Sequence, residues 1–391
     1  MDIYIISSNF YDPSNSHFTI GGIQTYIRDL YRAVINSGHN ALMVQFGLFS
    51  GTKEIESDGF KILLFPYVTK HGRVLEQRSF DRVYKSFNTD RSIFIIDTDQ
   101  RDIKSDSDNV VQIQHGIAFD IPGNMISGFW GKSSFLQRIN KQLRCWRNVA
   151  RLKHVHRTVC VDYNYFNWFR TLDTITDDYS VRVIPNYAGN YISEERLKEK
   201  IETPRPTISI LFARRFVDYR GAFLMIEATK ALLSKFNHVS ITFAGSGPLE
   251  QTIKDEFKGE NRVVVTRYDS AESLPFHSQF DIAVIPTIFS EGTSLSLCEA
   301  MAAGCIPIAT CVGGMSNIVI NNYNGILIQP CLNDLINAMM YLIELPQAQR
   351  SVIAKRAYDT AIVSFSKERW ERQWLSFLNI ADCEYCSSFS C

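Results

Sequence analysis

The sequence predicts an α/β protein built from two doubly wound domains. Three observations carry the prediction. Short apolar runs with strand character alternate with helical stretches, the pattern of a parallel sheet covered on both faces. The alternation runs twice, and a polar stretch rich in Glu and Lys, Ser193–Arg205, separates the two series. The chain has 391 residues, 45% of them hydrophobic and 21% charged, enough for two separate cores of ordinary globular composition.

In the first series, strands are expected at Ile3–Ser8, Ala41–Phe46, Lys61–Pro66, Ser92–Asp97, Val110–His115, Thr158–Asp162 and Val181–Pro185. Most are continuous runs of Ile, Val, Leu or Phe, as strands buried on both faces read. The second series starts afresh with Thr207–Ala213, Ser240–Ala244, Arg262–Thr266, Asp281–Pro286, Ile306–Thr310 and Gly325–Gln329. The domains expected are therefore 1–190 and 207–365, with a linker at 191–206. An amphipathic helix at 366–380 holds Trp370 and Trp374, and a Cys-containing tail fills 381–391. In open α/β sheets ligands bind outside the carboxyl ends of the strands, so the site is expected in a cleft between the two domains.

Net formal charge is zero, which gives no bulk attraction to nucleic acid or membrane, and no nucleic-acid partner is expected. No apolar run reaches the ~18–20 residues of a membrane span. Met-Asp-Ile-Tyr-Ile-Ile-Ser-Ser at the start lacks a basic n-region and already reads as a first strand, so a cytoplasmic location is expected. Cys160, Cys298, Cys305 and Cys311 lie in apolar surroundings, as reduced core cysteines do. Cys383 and Cys386 form a Cys-x2-Cys, but no His is near them and a structural zinc wants four ligands. With Cys391 they read as a frayed terminus.

The most informative segment is Ser290–Gly304, which follows the strand at Asp281–Pro286 and opens a helix. Gly292, Thr293, Ser294 and Leu295 stand at the helix start, where backbone N–H groups lack partners and the macrodipole is positive, a seat for a diphosphate. Glu291 and Glu299 bracket the seat. Eight helical steps span roughly 12 Å at ~1.5 Å per residue, too far for glycosidase carboxylates at ~5–9.5 Å. The spacing suits a ligand with a hydroxylated sugar at each end and a diphosphate between. The alternative is a surface helix whose Glu residues are merely solvated.

This segment resembles the Glu-x7-Glu motif of retaining glycosyltransferases of family 4, the group 1 glycosyl transferases. The resemblance implies a GT-B fold, two Rossmann-like domains facing across a cleft, with the last helix crossing back to the first domain. It implies that Glu291 contacts the donor sugar, the amides from Gly292 to Leu295 contact the diphosphate, and Glu299 holds the ribose hydroxyls. Phe212–Gly221 is similar to the family pattern Gly-Arg-Leu-x3-Lys-Gly, whose Arg and Lys fall by spacing on Arg215 and Arg220. Arg214 stands where Gly is usual, and Arg220 replaces Lys, keeping the charge and adding a fork for phosphate oxygens. That charge matters chemically, because the leaving diphosphate gains negative charge as the glycosidic bond breaks. A solvated basic turn is the competing reading.

Further matches are thinner. Gly21-Gly22 opens the first helix after the first strand, and in the family this loop lies over the donor phosphate and the acceptor. His115 ends a strand where family members carry a His near the donor sugar, with a buried core histidine as the alternative. Gly245-Ser-Gly247-Pro, Val312-Gly-Gly314 and Asn324-Gly325 match family turns, and Arg267-Tyr268 falls where the base is framed. The resemblance is dense from Leu211 to Gln329 and diffuse before it. Asp97-Thr-Asp99 matches the Asp-x-Asp by which GT-A enzymes hold a metal, but Asp is common at strand ends because it favours turns. Both are read as turn residues, and no cofactor or metal is expected.

Between Phe129 and Arg157 there are eight Lys or Arg residues, and no acid appears between Asp120 and Asp162. On a helical wheel Leu136, Ile139, Leu143, Trp146 and Ala150 share one side, while Arg144, Arg147 and Arg151 fall mostly on the other. Such a helix can sit on an anionic leaflet, or pack its apolar stripe on the domain core and solvate its charges. The reading taken is a metal-independent retaining transferase acting on a growing surface glycan on a lipid carrier, peripheral on the inner face of the cytoplasmic membrane. Its alternatives are a GT-B nucleotide-sugar epimerase or phosphorylase, and a catalytically silent sugar-binding partner.

Overall fold

The computed structural model describes residues 1–19, 21–98, 103–105, 107–117, 135–152, 155, 157–172, 180–289 and 291–380. Asp99, Lys132, Lys153 and the tail with Cys383, Cys386 and Cys391 lie outside them, as do the side chains of Leu136, Arg138 and Arg151. The described residues divide into two compact units. The first holds 1–115, 135–184 and 370–380, and the second holds 116–117 and 185–369.

The first unit is built on β1 (Asp2–Ser7), β2 (Asn40–Gly47), β3 (Lys53–Ser57), β4 (Phe60–Pro66), β5 (Ser92–Ile96), β6 (Val110–Gln114), β7 (Arg157–Cys160) and β8 (Ser180–Val183). They form one sheet in the order β8-β7-β6-β5-β1-β2-β4-β3, parallel throughout except for the last pair. The central strand aligns Ile3 with Ala41 on one side and with Ile93 on the other. The helix Gly22–Asn36 covers the sheet with Tyr26, Leu30 and Val34, one stripe at helical spacing. Lys53–Ser57 is a strand that the apolar pattern does not show. It reads Lys-Glu-Ile-Glu-Ser and pairs only at the sheet edge, where charged side chains discourage further pairing.

Trp370 and Trp374 of the helix Lys367–Phe377 belong to the first unit and are fully buried there. Trp374 Nε1 donates to the Tyr26 hydroxyl at 2.7 Å, and Trp370 meets the Tyr26 ring edge-on at 4.9 Å. Burying two indoles supplies the largest side-chain surface of any residue type, so this packing fixes the helix in place.

The second unit holds β9 (Ile208–Ala213), β10 (Val239–Ala244), β11 (Val263–Thr266), β12 (Ile282–Ile285), β13 (Ile306–Thr310) and β14 (Ile326–Ile328) in the order β11-β10-β9-β12-β13-β14, all parallel. The chain order reverses between β9 and β12, which makes their carboxyl ends the place for a ligand. The polar stretch read as a linker is instead a helix, Glu194–Glu202, that forms part of this unit. Glu and Lys are strong helix formers, Ser193 caps the first turn by accepting from the Arg196 amide at 3.2 Å, and Leu197 is 1% exposed.

Candidate active site

The switch point of the second unit carries a buried cluster of opposite charges. Arg214 follows β9 directly, its amide continuing the ladder onto the Ala244 carbonyl at 3.1 Å. Glu291 ends the loop that leaves β12. Arg214 Nη2 and Arg220 Nη1 both donate to Oε2 of Glu291, and the Thr287 hydroxyl reaches the same oxygen at 3.1 Å. Two glycines permit the approach. Gly245, at φ +156°, lies so close to the Arg214 carbonyl that a Cβ would stand 2.1 Å from it. Gly313, at φ +55°, backs Glu291 in the same way, with 1.7 Å to its carbonyl.

Burial raises the Glu291 carboxyl, but Arg214 and then Arg220 outweigh it and hold the group below the usual carboxylate range. The Arg214 side chain is only 6% exposed, and burial lowers its guanidinium while Glu291 raises it in return. Arg220 is 24% exposed and sits in the short turn Asp218–Arg220, tied to the loop after β12 where the Ile288 amide donates to the Tyr219 carbonyl at 2.8 Å.

The helix after Glu291 spans Leu295–Ala302, with Ser294 as its N-cap. Ser294 makes no side-chain cap bond. Its hydroxyl accepts from Arg214 Nη1 at 3.0 Å, and the same nitrogen reaches Ser296 at 3.2 Å. The first-turn amides are thus left for a ligand, beside two guanidiniums. Asn186 Nδ2 supports the approach to this turn by donating to the Thr293 carbonyl at 2.5 Å. Glu299 lies one turn into the helix, half-buried, and loss of hydration pushes its carboxyl up from 4.5 to about 7, partly offset by a hydrogen bond from Ser273. Tyr268 lies near it and stacks on Phe276 at 4.4 Å.

The structure thus places Glu291, Gly292, Thr293, Ser294, Leu295 and Glu299 along one loop and helix, with Arg220 reaching Glu291 from the turn Asp218–Arg220. Arg214, the neighbour of Arg215 in sequence, is the second arginine that meets Glu291. Arg215 is exposed, and its backbone carbonyl accepts from the Val217 amide at 2.9 Å. Thr287, Ser296, Ser273 and Asn186 are absent from the sequence reading. Thr287 beside the Glu-x7-Glu run and Ser296 within it were the available signal, while Ser273 and Asn186 are distant in sequence. Among the described residues no three His, Cys, Asp or Glu side chains gather into a set that could hold a metal ion.

The remaining candidates belong to the first unit. Gly21 is the N-cap of the helix that Gly22 opens, in extended backbone at φ 171°. His115 follows β6, its ring edge-on to Tyr26 at 5.3 Å and bonded to the Asp97 backbone. Burial pushes it down to about 4, so the imidazole is neutral at neutral pH. On the helix Phe135–Leu152 the apolar stripe is outside: Ile139, Leu143 and Trp146 are 41%, 48% and 58% exposed. Val149 is the buried contact, and Asn148 accepts from the Tyr165 hydroxyl. Arg147 is exposed, whereas Arg144 is half-buried with its Nε enclosed.

Residues 193–360 match the family described as glycosyl transferases group 1. An uncharacterized glycosyltransferase of Methanocaldococcus jannaschii is 29% identical over 125 residues, 31% of this chain and 32% of its own. The lipopolysaccharide 1,2-N-acetylglucosaminetransferase of Salmonella typhimurium is 23% identical over 211 residues, 49% of this chain and 54% of its own. The chain thus spans a third to about half the length of these relatives. Anabaena HepE, solved in complex with UDP-glucose, superposes with a TM-score of 0.69 at 14% identity over 97% of this chain and 100% of its own. The fold is GT-B.

Proposed function

We propose that this chain is a glycosyltransferase that moves a sugar from a nucleoside diphosphate to a hydroxyl of a growing glycan, with retention at the anomeric carbon and without a metal. The observation that carries this reading is the convergence of Arg214 and Arg220 on Glu291 beside an uncapped helix start. A diphosphate seated on the amides at Ser294 would draw Arg220, the more exposed of the pair, onto its oxygens. Preorganised positive groups of that kind stabilise the charge that develops on a leaving diphosphate. Glu299 then faces the ribose end, and Glu291, relieved of one cation, the sugar end.

The acceptor in this reading is a surface glycan on a lipid carrier. The lipopolysaccharide enzyme among the relatives supports the glycan class, and the exposed stripe of Ile139, Leu143 and Trp146 beside Arg147 supports a peripheral seat on an anionic leaflet. Among the described residues no helix is long and apolar enough to cross a membrane. The test is incubation of the full chain with a panel of nucleoside diphosphate sugars, beginning with UDP-glucose because HepE holds it. Release of nucleoside diphosphate and an α-anomeric product from an α-linked donor are expected. A β-linked product would end the retaining assignment, and failure of every donor to bind would end the reading itself.

A further inference from the structure

A cavity of about 50 Å³ opens in the second unit where the strands begin. Ile208 and Ile306 head β9 and β13 there, and Asp281 precedes β12. Arg214 and Glu291 follow the other ends of the strands. The 6 residues of β9, about 20 Å at ~3.3 Å each, therefore separate the two places.

Three cations line the cavity, Lys200, Arg205 and Arg350, against the single carboxylate of Asp281. That carboxylate is already engaged, by Ser209 and by one of the three cations. Its Oδ2 accepts the amide and hydroxyl of Ser209, each at 2.8 Å, and Oδ1 meets Arg205 at 3.4 Å. Lys200 is only 6% exposed. Its Nζ donates to the Ala303 carbonyl at 2.7 Å and lies 3.6 Å from Cys305 Sγ, while an ammonium carries three protons. Arg205 bonds the Gln279 carbonyl at 3.2 Å, and Arg350 the Leu345 carbonyl at 2.5 Å, both through Nη1. Among the described residues neither Nη2 group makes a hydrogen bond. The helix Gln347–Ser364 also begins here, with no side-chain cap and no acid in its first turn, so its positive end is not neutralised.

A buried ammonium, two forks and a helix start around one carboxylate leave an uncompensated positive charge. A space of this volume holds about three to five waters at ~10–15 Å³ each, the size of one tetrahedral oxyanion. We propose that the cavity binds a small oxyanion, inorganic phosphate or the phosphate group of a phosphorylated metabolite, between Lys200, Arg205 and Arg350. The site is separate from the donor seat and does not depend on it.

Calorimetric titration of the full chain with inorganic phosphate, and separately with glycerol 3-phosphate, tests this at constant ionic strength. Saturable binding is expected, weakened about tenfold or more in Arg205→Gln, the loss of one charged hydrogen bond. Tighter binding of glycerol 3-phosphate than of phosphate assigns the site to a phosphorylated metabolite; the reverse assigns it to the free ion. Lys200→Met should abolish binding, and if it does not fold, the surface variant Arg205→Gln still decides. Absence of saturable binding, or binding that Arg220→Gln removes and Arg205→Gln does not, overturns the proposal.

Discussion

Arg214 Nη2 donates to Oε2 of Glu291, joining the residue that leaves β9 to the loop that leaves β12. Both side chains are at most 10% exposed, so neither charge is tolerable without the other. Arg220 supplies the second cation from a more open position. Glu291 thus has one nearly buried partner and one more open one, as the proposed donor seat would require if a diphosphate is to draw Arg220 onto its oxygens.

Arg214→Ala and Arg220→Ala should each lower turnover by roughly 10²-fold or more, since loss of one preorganised charge contact costs ~2.7–4 kcal/mol. Arg214→Ala should also destabilise the fold more than Arg220→Ala, since each leaves the buried carboxylate with one cation but Arg214 is the more buried partner. Arg215→Ala should stay within about threefold of wild-type turnover, as expected of an exposed side chain. Steady-state rates with thermal melts check all three. Normal turnover in Arg214→Ala and Arg220→Ala together would remove the diphosphate seat.

Much of this was legible beforehand, for physical reasons. Parallel strands buried on both faces, such as Ser92–Ile96 and Ile306–Thr310, write themselves as unbroken apolar runs. Glu291, Ser294 and Glu299 were legible because helix-start chemistry is local. Arg214 was not, since two adjacent arginines at a strand end differ only in the direction they point. That direction is set by Gly245 and the ladder to Ala244, which are distant in sequence. The wheel of Phe135–Leu152 likewise shows an amphipathic helix without saying which side the domain takes.

Glu299 should make stability fall as pH rises. Its folded carboxyl sits at about 7 against an ordinary 4.5, so the folded protein holds a proton that the unfolded chain has released. The stabilisation is complete below about pH 4.5 and is lost as pH passes through about 7, at no more than ~1.4 kcal/mol per unit. Glu299→Gln removes this titration. Its melting temperature relative to wild type should therefore rise between pH 5 and pH 8. A difference independent of pH would show that Glu299 is ionised throughout.

Turnover should survive EDTA, staying within about twofold of the untreated enzyme, because two guanidiniums and a helix start can supply the field that a divalent ion supplies elsewhere. Asp97, the ligand that an Asp-x-Asp reading would offer, is buried at the end of β5 with its backbone engaged by His115. Loss of turnover in EDTA with rescue by Mn2+ would restore Asp97 and Asp99 as candidates.

The last prediction concerns the helix Phe135–Leu152. A stripe of Ile139, Leu143 and Trp146 left in water is costly, and basic residues flank it, so a leaflet of anionic lipid would satisfy both. Covering one such large side chain is worth ~1.5–3 kcal/mol. Trp146→Ser should therefore weaken binding to anionic vesicles about tenfold or more, even at high salt. Arg147→Glu should weaken it chiefly at low salt, where charge is little screened. Neither change touches the core, where Val149 makes the buried contact, so turnover on a short water-soluble acceptor should be kept. Co-sedimentation with vesicles across a salt series separates the two contributions. If wild type stays in the supernatant at low salt, the stripe serves another partner, and the lipid-linked acceptor loses its physical support.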